Sequence, residues 1–173
     1  EKVVYTPVST DHDSATLHVY RGKIKHPMVG ARCNMEVNLG TSALPKFTFN
    51  NLIGLFVDPT QAGAFQNCDY SGFTTPMKTD PVSITTMQLF GQAVNMSDLV
   101  FRLGNNVVYR SVTNDESVQI VARMPQIEIT FEEPMLADFN WWEKLSTFGA
   151  LAYQIGQDVV DAGHIFELAV PNL

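Results

Sequence analysis

The chain has 173 residues, enough for one domain with a sizeable core, and its 45 % hydrophobic content is ordinary for a globular protein. Its formal net charge of −7, from 18 acidic and 11 basic residues, argues against a surface built to hold nucleic acid, which uses Lys and Arg to neutralise phosphates. No window approaches the ~18 apolar residues of a membrane-spanning helix, so no membrane is expected among the partners.

Residues up to Asp13 read as irregular. From Ser14 to Arg21 the pattern alternates, with Ala15, Leu17 and Val19 on one face and Thr16, His18 and Tyr20 on the other; Gly22 makes a turn, and Lys23 to His26 forms a short return strand. The cations of Arg21 to Lys25 read as a solvated hairpin end. A long strand follows from Val29 to Leu39. Its apolar set (Val29, Ala31, Cys33, Met35, Val37, Leu39) and the set on its other face (Gly30, Arg32, Asn34, Glu36, Asn38) separate cleanly at period two. At roughly 35 Å extended, it is about twice the usual strand length.

Lys46 to Val57 is a second long strand whose apolar phase shifts across Asn50-Asn51, as at a β-bulge. Residues 58 to 81 carry three prolines and little periodicity, a loop long enough to expect function in it. Strands are expected over Val82–Val94, Asp98–Leu103, Val107–Tyr109, Ser117–Arg123 and Gln126–Glu132, with a turn at Gly104-Asn-Asn106. One helix is expected: Asp138 caps it, Phe139, Trp142, Leu145 and Phe148 make its apolar stripe, and Gly149 ends it. Leu151–Ile155 and His164–Val170 form a late strand pair. The expected fold is mainly β: one domain over 1–173, an antiparallel β-sandwich or barrel with one flanking helix. The opening Glu1 and the stop just after a strand suggest residues missing at one or both ends.

No constellation of catalytic residues emerges. There is no Gly-rich phosphate loop, no zinc spacing and no nucleophile elbow. Asp11-His12-Asp13 reads as a polar loop, and His18, His26 and His164 stand alone. Glu132 and Glu133 are strand neighbours that point apart. Helical spacing puts Trp142 in the core and leaves Trp141 flanking it, which weakens a sugar-stacking reading of the pair. Cys33 reads as a small buried hydrophobe and Cys68 as a loop residue; a reducing compartment fits best, with one bridge between them left open. No enzyme, metal or cofactor is therefore expected. The wet strand faces carry Glu36, Glu128 and Glu132 among Asn and Thr, offset only by Arg32.

Four stretches together resemble tail tube proteins of long-tailed, non-contractile (siphovirus-type) bacteriophages. They are Gly30-Ala-Arg-Cys-Asn-Met-Glu-Val-Asn-Leu39, Pro45-Lys-Phe-Thr-Phe with Gly54-Leu-Phe-Val-Asp-Pro59, Leu103-Gly-Asn-Asn-Val-Val-Tyr-Arg110 followed by Glu116-Ser-Val, and Phe131-Glu-Glu-Pro134 leading into the helix. The resemblance runs from Ser14 to the final hairpin and lies in scaffold residues, not in a catalytic signature. It implies a structural subunit of homohexameric rings that stack into a tube in the virion tail, assembled in the host bacterial cytoplasm alongside other tail proteins. DNA would pass through without specific binding. Under that reading Asn34, Glu36, Asn38, Glu128 and Glu132 are candidates for the lumen wall, and the loop bearing Asp58, Gly63, Tyr70 and Phe73 is the candidate for ring-to-ring contact. Two other readings compete: another ring protein of the same tail, such as a terminator or distal tail subunit, and a carbohydrate-binding β-sandwich using Trp141, Tyr70 or Phe73.

Overall fold

The computed structural model describes residues 3–61, 69–73, 75–144, 146–156 and 165–171. The protein is mainly β, 55 % strand and 3 % helix, with antiparallel sheets and one short helix. It divides into two compact units, and two strands contribute residues to both.

The first unit comprises Glu1–Met35, Phe49–Tyr70 and Leu103–Pro125. Strand β1 (Ala15–Arg21) turns through Gly22-Lys23 into β2 (Ile24–Asn38), with Arg21 opposite Ile24 and Gly22 at φ +64°. The return strand and the long strand expected separately are thus one strand of 15 residues. They read as two pieces because of a β-bulge: Leu17 pairs with Met28 but Ala15 pairs with Ala31, and Gly30 sits at φ +62°, which only Gly adopts freely. Strand β3 (Lys46–Phe56) also pairs with β2, and its phase change falls where Asn51 adopts φ +48°. Asn tolerates that region better than most residues. The two-residue strand β4 (Thr60–Gln61) pairs with Ile24 and Lys25, so the 58–81 stretch is tied down at its start.

Strands β8 (Asn105–Val112) and β9 (Asp115–Arg123) form a two-stranded ribbon closed by Thr113-Asn114. That is longer than its sequence suggested, and Asn105 and Asn106 belong to the ladder and not to a turn. Gly104 is at φ +69°, and a Cβ there would run into the Met124 carbonyl oxygen. Among the described residues, Ala31, Val107 and Val118 are the buried apolar ones of this unit.

The second unit comprises Glu36–Thr48, Ser71–Arg102 and Gln126–Leu173. Here the end of β2 pairs with β7 (Met96–Arg102), which pairs in turn with β10 (Gln126–Phe131). A second sheet runs β12 (Phe166–Val170), β11 (Leu151–Ile155), β5 (Ile84–Leu89), β6 (Gln92–Ala93). The strand expected over Val82–Val94 folds back on itself at Phe90-Gly91, both at positive φ, as a tight hairpin requires. Val37, Leu39, Leu99, Leu151, Tyr153 and Ile155 are all but sealed from solvent and form the core of this unit.

The helix α1 is a single turn, Trp141–Lys144. Asn140, not Asp138, caps it, its Oδ1 accepting the Trp142 N–H at 3.2 Å. One turn cannot sustain a stripe over three, so the expected Trp roles reverse. Trp141 packs edge-on against Phe139 at 4.5 Å and at a tilt against Phe131 at 4.7 Å between ring centroids, while Trp142 is 69 % exposed. Leu145 lies outside the described residues. Gly149 does not end the helix; it leaves room for the Phe90 ring, which a Cβ would strike.

Candidate functional site

Cross-strand register gathers the polar residues of β2, β7 and β10 into one face. Glu36 lies opposite Arg102 and Arg102 opposite Gln126; Asn38 lies opposite Val100 and Val100 opposite Glu128; Asp98 lies opposite Thr130. The alternate residues Val37, Leu99, Phe101, Ile127 and Ile129 share the other face, where Val37 and Leu99 are buried. Glu132, one residue past β10, continues the polar alternation, and its Oε2 accepts a hydrogen bond from Asn95 Nδ2 at 3.1 Å.

Arg102 is the centre of this face. Its Nε donates to Glu36 Oε2 at 3.1 Å and its Nη1 to Glu128 Oε2 at 2.9 Å, one guanidinium holding two carboxylates from two neighbouring strands. The hydrogen bond to Glu128, and then that to Glu36, raise its pKa further. Glu36 and Glu128 thus stand beside one guanidinium, with Asp98 farther along β7 and Glu132 past the end of β10, four acidic side chains to one basic. Such a face repels polyanions, and its two bridged carboxylates are already engaged as acceptors.

The expectation that Arg32 offsets these acids is overturned. In the first unit Arg32 donates through Nη1 to the Val118 carbonyl and through Nη2 to the His12 carbonyl at 2.7 Å. Arg102, unremarked in the sequence, does the work, and Asp98 joins the acids. Period two over 98, 100 and 102 was the available signal; Val100 between the two charges disguised it.

Asn34 belongs to the first unit and serves structure there. Its Nδ2 donates to Asn50 Oδ1 at 3.0 Å and its Oδ1 accepts the Asn105 N–H at 3.0 Å. Asn38 Oδ1 accepts the Gly40 N–H at 3.1 Å, closing the end of β2. Among the loop residues, Asp58, Tyr70 and Phe73 are exposed, and Gly63 lies outside the described residues. The far end of that stretch is pinned: buried Thr79 donates from Oγ1 to the carbonyls of Gly40 and Ala43, and Asp80 Oδ1 accepts the N–H groups of Val82 and Ser83.

Cys33 is a half-buried free thiol pushed up by burial, which disfavours the reactive thiolate; Cys68 lies outside the described residues. Among the described residues no group of three His, Cys, Asp or Glu could hold a metal ion, and no helix is long and apolar enough to cross a membrane. No protein-family model matches the chain, and neither a curated protein nor a solved structure matches it.

Proposed function

We propose that this chain is a structural subunit of the tail tube of a long-tailed, non-contractile phage, forming hexameric rings that stack into a conduit for DNA. The observation that carries the reading is the acid-rich face of β2, β7 and β10, with four carboxylates to one guanidinium. A conduit must not hold its cargo. A wall of net negative charge keeps phosphates off, and at physiological ionic strength its field still reaches ~8 Å. The scaffold motifs from Gly30 to Pro134 supply the family resemblance, and exposed Tyr70 and Phe73 suit a loop that meets the next ring. Glu36, Asn38, Glu128 and Glu132, with Asp98 and Arg102, are the proposed lumen residues; Asn34 is less suited, because both ends of its amide are occupied. The subunit does its work by assembly in the virion tail, without catalysis or a cofactor.

Negative-stain electron microscopy at rising protein concentration, with light scattering, tests this. Rings or tubes with a central channel are expected, and Glu36→Lys with Glu128→Lys should make the channel retain DNA. A protein that stays monomeric throughout would refute the reading. It would promote the carbohydrate-binding alternative, which draws on the same exposed aromatics, Tyr70 and Phe73.

A further inference from the structure

Arg32 is half-buried, yet among the described residues no carboxylate lies within ion-pair distance of it. Its charge meets two carbonyl oxygens instead, that of Val118 through Nη1 and that of His12 through Nη2. A guanidinium has five N–H donors, and the Nε–H of Arg32 is buried without a partner among the described residues. A buried donor in that state costs free energy until something accepts from it. The side chain lines an open cavity of about 520 Å³ together with Asp11, His12, Ser117, Gln119 and Ile120, all residues of the first unit. Small-molecule sites run from roughly 300 to 1,000 Å³. Asp11 brings the opposite charge to the same cavity, and the two side chains form no ion pair with each other. The two carbonyl bonds hold Arg32 where it is. On β9, Gln119 Nε2 donates to Ser117 Oγ at 3.2 Å, which leaves the Ser117 O–H to be given elsewhere.

We propose that this cavity binds a free amino acid, its carboxylate on Arg32 and its ammonium on Asp11. An unpaired cation and an unpaired anion lining one space are matched by a molecule that carries both charges. A purely anionic ligand would meet repulsion from Asp11, and a purely cationic one repulsion from Arg32. A zwitterion satisfies both and leaves the occupied site neutral. Its carboxylate also supplies acceptor oxygens for the guanidinium donors that the two carbonyls leave unspent. The cavity is larger than the two charged groups need, so the amino acid's own side chain has Ser117, Gln119 and Ile120 to lie against. None of these residues belongs to the acid-rich face of β2, β7 and β10, so the site is independent of the tube reading.

The test is a titration of the full chain with L-glutamine, followed by the amide NMR signals of Asp11, Ser117 and Gln119. Saturating shifts with a Kd of roughly 1–10 mM are expected, in keeping with a ligand of few atoms in an open site. Two derivatives each lack one charge: N-acetyl-L-glutamine keeps the carboxylate alone, and L-glutaminamide keeps the ammonium alone. Each should bind at least about tenfold more weakly, the loss of one charged hydrogen-bonded contact. Arg32 also ties His12 to Val118, so the cleaner variant is Asp11→Asn, at an exposed position. It should weaken L-glutamine by at least about tenfold and leave N-acetyl-L-glutamine no weaker than before. L-Glutamine that produces no saturating shift up to about 50 mM would overturn the site. So would capped derivatives that bind as tightly as L-glutamine, or an Asp11→Asn variant that binds it unchanged.

Discussion

Replacing Tyr153 with Phe should stabilise the protein. The Tyr153 side chain is fully buried in the middle of β11, between Met87 on β5 and Leu168 on β12, and its hydroxyl has no hydrogen-bond partner among the described residues. A buried hydroxyl left unbonded costs about 1–3 kcal/mol in desolvation, which the substitution returns. The void left by one oxygen, roughly 10 Å³ at about 24 cal/mol per Å³, takes back only ~0.2 kcal/mol. The net gain is at least about 1 kcal/mol, a rise in Tm of roughly 2–4 °C for a chain of this size. The pH dependence follows from the same burial, which pushes the Tyr153 phenol up to about 12 from a usual value of 10. Between those values the unfolded chain loses the proton and the folded chain keeps it. Stability therefore falls as pH rises from 10 to 12, and Tyr153→Phe should lose less over that window. Urea unfolding followed by circular dichroism at pH 7, 10 and 11 measures both effects. A variant less stable than the parent at pH 7 would refute the reasoning, because it would mean the hydroxyl is bonded.

Three further outcomes are expected. Gly104→Ala should cost about 1–3 kcal/mol, from the left-handed backbone and the blocked Met124 carbonyl; urea unfolding measures it, and a neutral result would refute the close approach. The Asp80 carboxyl is held below its ordinary 3.8, first by the Ser83 N–H and then by the Ser83 hydroxyl. Its contribution is present above that value and disappears as pH falls through the lower folded one, so Asp80→Ala should flatten the acid limb of the stability curve as pH falls below 3.8. Trp142→Phe should remove most iodide-quenchable fluorescence, whereas Trp141→Phe should leave it; the opposite result would restore the three-turn helix.

Most of the strand inventory was legible because alternation is a local signal, carried by neighbours such as Val37 and Asn38. What escaped was not local. The joining of two strands into β2 depends on a bulge at Gly30, where the alternation slips and sequence reads a break. The pairing of Arg102 with Glu36 and Glu128 spans 66 and 26 residues and follows only from register between strands, which no periodicity contains. The Trp pair was misassigned because aromatic spacing compatible with a helix was satisfied by one helical turn and a cluster around Phe131 and Phe139. The acidic face itself was visible as a list of residues; its neutralising partner was not.

Among the described residues, the side chains that fasten the ribbon of β8 and β9 to the rest of its unit lie away from its tip. At its base Asn105 donates from Nδ2 to the Cys33 carbonyl and accepts from Arg123 Nε, and Asn51 donates to the Val107 carbonyl; midway along, Arg32 donates to the Val118 carbonyl. Near Thr113-Asn114, among the described residues, only cross-strand pairing and the 3.7 Å contact of Arg110 with Asp115 remain. Amide exchange should therefore be graded along it, slowest beside Val107 and fastest at the tip, with opening that proceeds as a zipper from the free end. A neighbour that gripped the tip would halt that fraying at little strain to the anchored base, so the ribbon can register contact as a change in motion before any change in shape.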